Sequence, residues 1–190
     1  MKAVILDGSR NIESPTRTIN YKMALKLEKE GWEVEEYLLC QEEIATCTGC
    51  FGCWLKTPGK CTINDKGREI AKEVIQSDIV ILITPITFGG YSYQLKKMVD
   101  RFIPNILPFF AIVNGEIHHE SRYDKNPIIL AIGYLPQKDE ESEETFKKLI
   151  KRNSINFHSC LYNAEIVVDD VKSLDMAKIS NFLEKVEMLV

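Results

Sequence analysis

The stretch Ile79-Val80-Ile81-Leu82-Ile83-Thr84-Pro85-Ile86-Thr87-Phe88-Gly89-Gly90-Tyr91-Ser92 decides the architecture. Five consecutive aliphatic residues, four of them β-branched, leave no polar alternate for water, so Ile79 to Thr84 is a strand buried on both faces. Pro85, Gly89 and Gly90 then break the run. After Ser92, a plausible N-cap, Leu95, Met98, Val99 and Phe102 fall at i, i+3, i+4 and i+7, the stripe of a helix lying on a sheet.

The same rhythm extends in both directions. Strands are expected at Lys2 to Leu6, Glu33 to Leu39, Pro127 to Gly133 and Glu165 to Val168, and Ile128 to Ile132 is again unbroken by polar residues. The acids alternating through the second strand suit a sheet edge. Helices are expected near Pro15 to Glu30, Asp65 to Gln76, Glu141 to Asn153 and Leu174 to Leu189, with Ser14, Ser142 and Ser173 as N-caps. The expectation is an α/β three-layer sandwich in which a five-stranded parallel sheet of order 2-1-3-4-5 carries helices on both faces. At 190 residues and 45% apolar content, residues 1–190 form one expected domain. Two segments break the rhythm: a cysteine-rich loop at 46–63, and a connection at 103–126 expected to be irregular although it holds the apolar run Leu107 to Val113.

A net charge of −4 with no basic block argues against nucleic acid or an anionic membrane as the partner, leaving small molecules or other proteins. The opening apolar run meets Asp7 after four residues, too short for a signal-peptide core or a membrane span, so a cytoplasmic location is expected. Six cysteines in that compartment stay reduced. Cys40 and Cys160 stand alone and are expected to be buried small apolar side chains.

Ligands of such sheets sit beyond the carboxyl ends of the strands where the winding reverses. The first loop there is Gly8-Ser9-Arg10-Asn11-Ile12-Glu13-Ser14-Pro15-Thr16, whose hydroxyls and following helix N-terminus suit a phosphate. It has neither the nucleoside triphosphate nor the dinucleotide glycine fingerprint. The second, Thr84 to Ser92, offers an apolar and aromatic wall for a planar ring. The cysteines follow a C-x2-C-x2-C-x7-C pattern through Cys47, Cys50, Cys53 and Cys61. Three readings stay open for them: a 4Fe-4S cluster, a cluster-free thiol loop packed by Phe51 and Trp54, or, least well matched in spacing, zinc.

With Gly8-Ser9, Ser14-Pro15-Thr16, Asn64-Asp65, Thr84-Pro85-Ile86-Thr87-Phe88, and Ser92 through Leu95-Lys96 to Asp100-Arg101, the chain resembles the NADPH-dependent FMN reductases and iron-sulfur flavoproteins of the flavodoxin-like superfamily. It departs from their pattern in three places. Arg10-Asn11 stands for the usual Pro-Arg, Pro15 for an asparagine, and Thr87 where tyrosine is commoner.

The resemblance implies that Ser9, Asn11, Ser14 and Thr16 surround an FMN phosphate and that Pro85, Thr87, Phe88 and Gly89 contact the isoalloxazine, with Gly133 and Tyr134 closing the other side. Catalysis then needs no side-chain acid or base, and His118 and His119 are expected to be solvated or at a subunit contact. NAD(P)H would stack transiently, with ping-pong kinetics, to reduce a flavin, quinone or related small acceptor. Two alternatives stand beside this reading. One is an iron-sulfur electron carrier between a ferredoxin-like protein and FMN, and the other is a non-catalytic flavodoxin-like binding protein. The apolar segment around Phe109 and Phe110 is expected to pack on a second subunit of a homodimer or homotetramer, with a fold over the flavin edge or a small satellite core under the loop as the alternatives.

Overall fold

The computed structural model describes residues 1–113 and 115–190. In chain order the elements are β1 (Lys2–Asp7), α1 (Thr16–Lys29), β2 (Glu33–Leu38), the single turn α2 (Gly52–Leu55), α3 (Lys66–Gln76), β3 (Ile79–Pro85) and α4 (Tyr93–Val99). After a 3-10 stretch at Asp100–Asn105 come β4 (Ile106–Val113), β5 (Glu116–Ser121), β6 (Ile128–Leu135), α5 (Glu140–Asn156), β7 (Tyr162–Val168) and α6 (Met176–Glu187). Strands β2-β1-β3-β6-β7 form the five-stranded parallel sheet, which is the expected 2-1-3-4-5 order once the β4–β5 hairpin is set aside.

Strand β3 shows why both faces carry helices. Val80 and Leu82 enter one apolar layer with Leu95, Met98 and Phe146, while Ile79, Ile81 and Ile83 enter the other with Ile19, Met23 and Leu183. Complete burial of each such side chain contributes about 1.5–3 kcal/mol, so a one-residue slip of this strand would exchange the two layers. Strand β2 lies at the edge, where its alternating acids reach water.

Several local expectations are corrected. The connection 103–126 is not irregular, because it folds back as an antiparallel hairpin with Phe110 opposite His119 and Ile112 opposite Ile117. In the sequence, the Asn-Gly pair at 114–115, between the apolar run ending at Val113 and Glu116-Ile117, is the hairpin signal that the strand–helix rhythm obscured. Asp139 caps α5 by accepting from the Ser142 N–H, and Asp175 caps α6, displacing Ser142 and Ser173. Ser92 does cap α4 through the Leu95 N–H, whereas α1 starts at Pro15 with no side-chain cap from Ser14 or any other residue. Cys40 is half-buried and Cys160 exposed, since both lie in connections rather than in the core.

Candidate functional site

The sheet reverses its winding between β1 and β3, so the loops after these strands lie side by side. The Gly8 N–H donates to the Ile83 carbonyl at 2.7 Å, and Ser92 Oγ donates to the Gly8 carbonyl at 2.6 Å. Gly8 is required by this contact: a Cβ there would stand 2.7 Å from Leu95 Cβ and 2.8 Å from Ser92 Oγ. Above the strands, an Arg10 guanidinium nitrogen donates to Thr87 Oγ1 at 3.1 Å, joining the two loops at their outer ends.

In the first loop Ser9, Ser14 and Thr16 converge, with Thr16 Oγ1 2.6 Å from Ser9 Oγ and 2.7 Å from Ser14 Oγ. They gather where α1 begins without a side-chain cap or an acid in its first turn, so its partial positive charge faces them uncompensated. Asn11 stands outside the group, exposed, with its side-chain oxygen accepting from the Glu13 N–H. Beneath them lies a residue the sequence reading passed over. Asp7, fully buried at the end of β1, accepts from both the Ser9 N–H at 2.9 Å and Ser9 Oγ at 2.5 Å, and pairs with Arg17 at 2.6 Å.

This carboxylate sets the direction of every hydroxyl proton in the loop. Ser9 has one proton and gives it to Asp7, so Thr16 must donate to Ser9 and Ser14 to Thr16. The sequence signal was available in an acid ending an otherwise apolar buried strand.

The second loop is a tight turn. Thr87 and Gly90 exchange backbone hydrogen bonds of 3.0 and 2.9 Å, and both residues between them have positive φ, 49° at Phe88 and 71° at Gly89. Holding a phenylalanine in the left-handed region costs on the order of 1 kcal/mol, and its result is a ring wholly exposed beyond the strand ends. Pro85 ends β3, and Gly89 presses its α-carbon face on Thr145 of α5. Gly133 faces inward: a Cβ there would meet Ile86 at 2.6 Å and Phe146 at 2.9 Å. Tyr134 lies on the other side of the sheet, packed against the second apolar layer, and its hydroxyl donates to the Asp169 carbonyl.

Helix α4 leads from the second loop to the cysteines. Cys47, Cys50, Cys53 and Cys61 all line one cavity, together with Arg101, Ile103 and Pro104. Burial pushes the Cys53 thiol up, and negative charge on Cys61, Cys47 or Cys50 would push it further. Cys50 is exposed, and the Gly52 N–H, followed by the Thr62 and Thr48 hydroxyls, holds its thiol below the usual range. Among the described residues no three His, Cys, Asp or Glu side chains are close enough to hold a single metal ion. Zinc, with Zn–S bonds of about 2.3 Å, would need sulfurs within about 3.8 Å of one another.

The neck of the cysteine loop is closed by Arg101, also unassigned in the sequence reading. Its terminal nitrogens grip Asp65 at 2.6 and 2.8 Å and donate to the carbonyls of Ala45 and Ile63, one on each side of the loop. Asp65 in turn caps α3 and accepts from the Ala45 N–H. Burial alone would raise the Asp65 carboxyl, but the Arg101 guanidinium and the Ala45 and Arg68 N–H groups hold it below its usual value. From the loop, Trp54 stacks with Phe51 and leans on His119, which stacks on Phe110 of the hairpin. His118, half-buried, lies between Asn156 and Glu116.

The profile of the family described as NADPH-dependent FMN reductase matches residues 1–122. An iron-sulfur flavoprotein of Methanocaldococcus jannaschii is 38% identical over 104 residues, 55% of this chain and 53% of that protein. One from Archaeoglobus fulgidus is 37% identical over 106 residues, 55% of this chain and 46% of that protein. The chain thus spans about half the length of the curated relatives it matches. Among solved structures, an NAD(P)H:quinone oxidoreductase from Methanothermobacter marburgensis superposes with a TM-score of 0.68 at 13% identity, covering 98% of this chain and 94% of that one. An FMN-dependent NADH-azoreductase from Bacillus anthracis, solved with FMN, gives 0.61 at 16% identity, covering 100% and 97%. These likenesses establish a shared flavodoxin-like fold. No helix among the described residues is long and apolar enough to cross a membrane.

Proposed function

We propose, from the premise that this chain belongs to the NADPH-dependent FMN reductase family, that it binds FMN at the paired loops after β1 and β3 and uses NAD(P)H to reduce a flavin, quinone or related small acceptor. The observation that carries the reading is the convergence of Ser9, Ser14 and Thr16 at the uncapped start of α1, tied to the strained Phe88 turn through Arg10 and Thr87. Ser9, Ser14, Thr16 and the N-terminus of α1 would hold the phosphate. Pro85, Thr87, Phe88 and Gly89 would flank the ring system, with Phe88 shielding it from water. When bound, FMN supplies hydride acceptance and the release of electrons singly or in pairs. The chain's contribution is then position and dryness, and no side chain is nominated as acid or base.

A second reading is favoured by the cysteine cavity. Four cysteines around one space, with spacing unlike two zinc knuckles and with relatives called iron-sulfur flavoproteins, support a 4Fe-4S cluster held by Cys47, Cys50, Cys53 and Cys61. The chain would then pass electrons between a ferredoxin-like protein and FMN. Phe109, Phe110, Ile112 and Ile117 point outward from the hairpin, and a second copy of this chain is the partner that would cover them.

Anaerobic purification with flavin, iron and sulfide measured on one sample tests both readings. Stoichiometric FMN with NAD(P)H oxidation and no iron leaves the reductase alone. About four irons and four sulfides per chain bring in the electron carrier. Failure to take up FMN on reconstitution refutes both.

A further inference from the structure

Arg101 is a guanidinium with 1% of its side chain exposed. Arginine must place five N–H donors, and at that depth water satisfies none of them. Four lie on the two terminal nitrogens, which face Asp65, Ala45 and Ile63. The fifth, on Nε, has no partner among the described residues. An orphaned donor on a buried cation is costly unless something absent from the protein's own atoms accepts it. The side chain that carries it forms part of the wall of the cavity lined by all four clustered cysteines.

We propose that Arg101 is a positioning residue of the cysteine centre, its Nε–H donating to a sulfur that the bound centre itself brings into the cavity while its terminal nitrogens lock the loop neck. The inference rests on the iron-sulfur reading of those cysteines. Its consequence is electronic as well as structural. A centre ligated by four thiolates is anionic and becomes more so on reduction, so a fixed buried cation and a donor to one of the centre's sulfurs both favour the reduced state. Lysine could keep that charge but could not span Asp65, two carbonyls and a sulfur at once, because it lacks the planar fork.

The test uses the whole chain reconstituted anaerobically with iron and sulfide. Pulsed EPR on the reduced centre, with guanidino-15N arginine incorporated, is expected to show 15N coupling in the wild-type protein. EPR-monitored titration of Arg101→Gln is expected to shift the reduction equilibrium at least tenfold toward the oxidised form, 59 mV for a one-electron couple. Arg101→Lys is expected to recover part of that shift. Loaded wild-type protein without 15N coupling overturns the role of Arg101, even if the glutamine variant fails to assemble. So does a loaded glutamine variant titrating at the wild-type potential. A wild-type chain that takes up no iron removes the centre and this proposal with it, and the iron content alone separates that result from the others.

Discussion

Replacing Asp7 by asparagine should tighten FMN binding while making the protein less stable. In the wild-type loop each hydroxyl proton is handed inward from Ser14 to Thr16 to Ser9 and finally to the Asp7 carboxylate, so Ser14 offers lone pairs outward where an anion needs donors. Asp7 is also a full negative charge buried under the loop, offset by Arg17, whose side chain is 35% exposed. The substituted amide would still accept from the Ser9 N–H but would hold the relay more weakly and leave Arg17 unpaired. At a separation on the order of 8 Å and an effective dielectric near 20, each unit of charge removed contributes about 2 kcal/mol toward a monoanionic phosphate. Some of that is lost because Arg17 can swing into water, so at least a tenfold gain, about 1.4 kcal/mol, is expected. Loss of the charge-assisted hydrogen bonds should lower stability by roughly 1–3 kcal/mol. Titrating flavin-free protein with FMN, and with riboflavin as the phosphate-free control, isolates the effect. An FMN-to-riboflavin affinity ratio that falls or stays constant in Asp7→Asn would refute the relay argument.

Ser14→Ala with Thr16→Ala should act in the opposite direction: a bound phosphate draws both hydroxyl protons out of the relay toward itself, charged hydrogen bonds contribute about 1.5–3 kcal/mol each, so FMN is expected to bind at least tenfold more weakly, and unchanged affinity sinks the phosphate assignment. The Asp65 carboxyl is depressed in the folded chain, so its stabilisation is present above its unfolded value near pH 4 and is lost as pH falls below it. Urea unfolding should therefore show Asp65→Asn less stable than wild type at pH 7 but losing less on acidification, and parallel pH profiles would contradict this. On the hairpin, Phe110→Ser combined with Ile112→Ser should convert a sedimenting oligomer to monomer without loss of the fold. A wild-type chain already monomeric at high concentration would show that a second copy does not cover that face.

Much of this protein was legible because burial on two faces leaves a plain signature. A strand such as Ile79 to Thr84, apolar at every position but its last, has one place to go, and the loops at its end follow from the sheet's winding. The hairpin was missed because its apolar run belongs to no layer of the main sheet, so the reading gave it no place. The caps at Asp139 and Asp175 were misread in favour of nearby serines because all four are competent acceptors, and the extended backbone of the cap residue itself decides among them.

From residue order alone came the parallel sheet, its two buried central strands, the position of the two loops proposed to hold FMN and the grouping of four cysteines, since these depend on periodicity and spacing along one chain. Tertiary structure alone decided which charges face them. Asp7 meets Arg17 and the hydroxyls of the next helix, and Arg101 reaches back 36 residues to Asp65 and across to the cysteine cavity. Hydrogen-bond direction and the partner of a buried ion are properties of distance in space, and no pattern in the sequence records them.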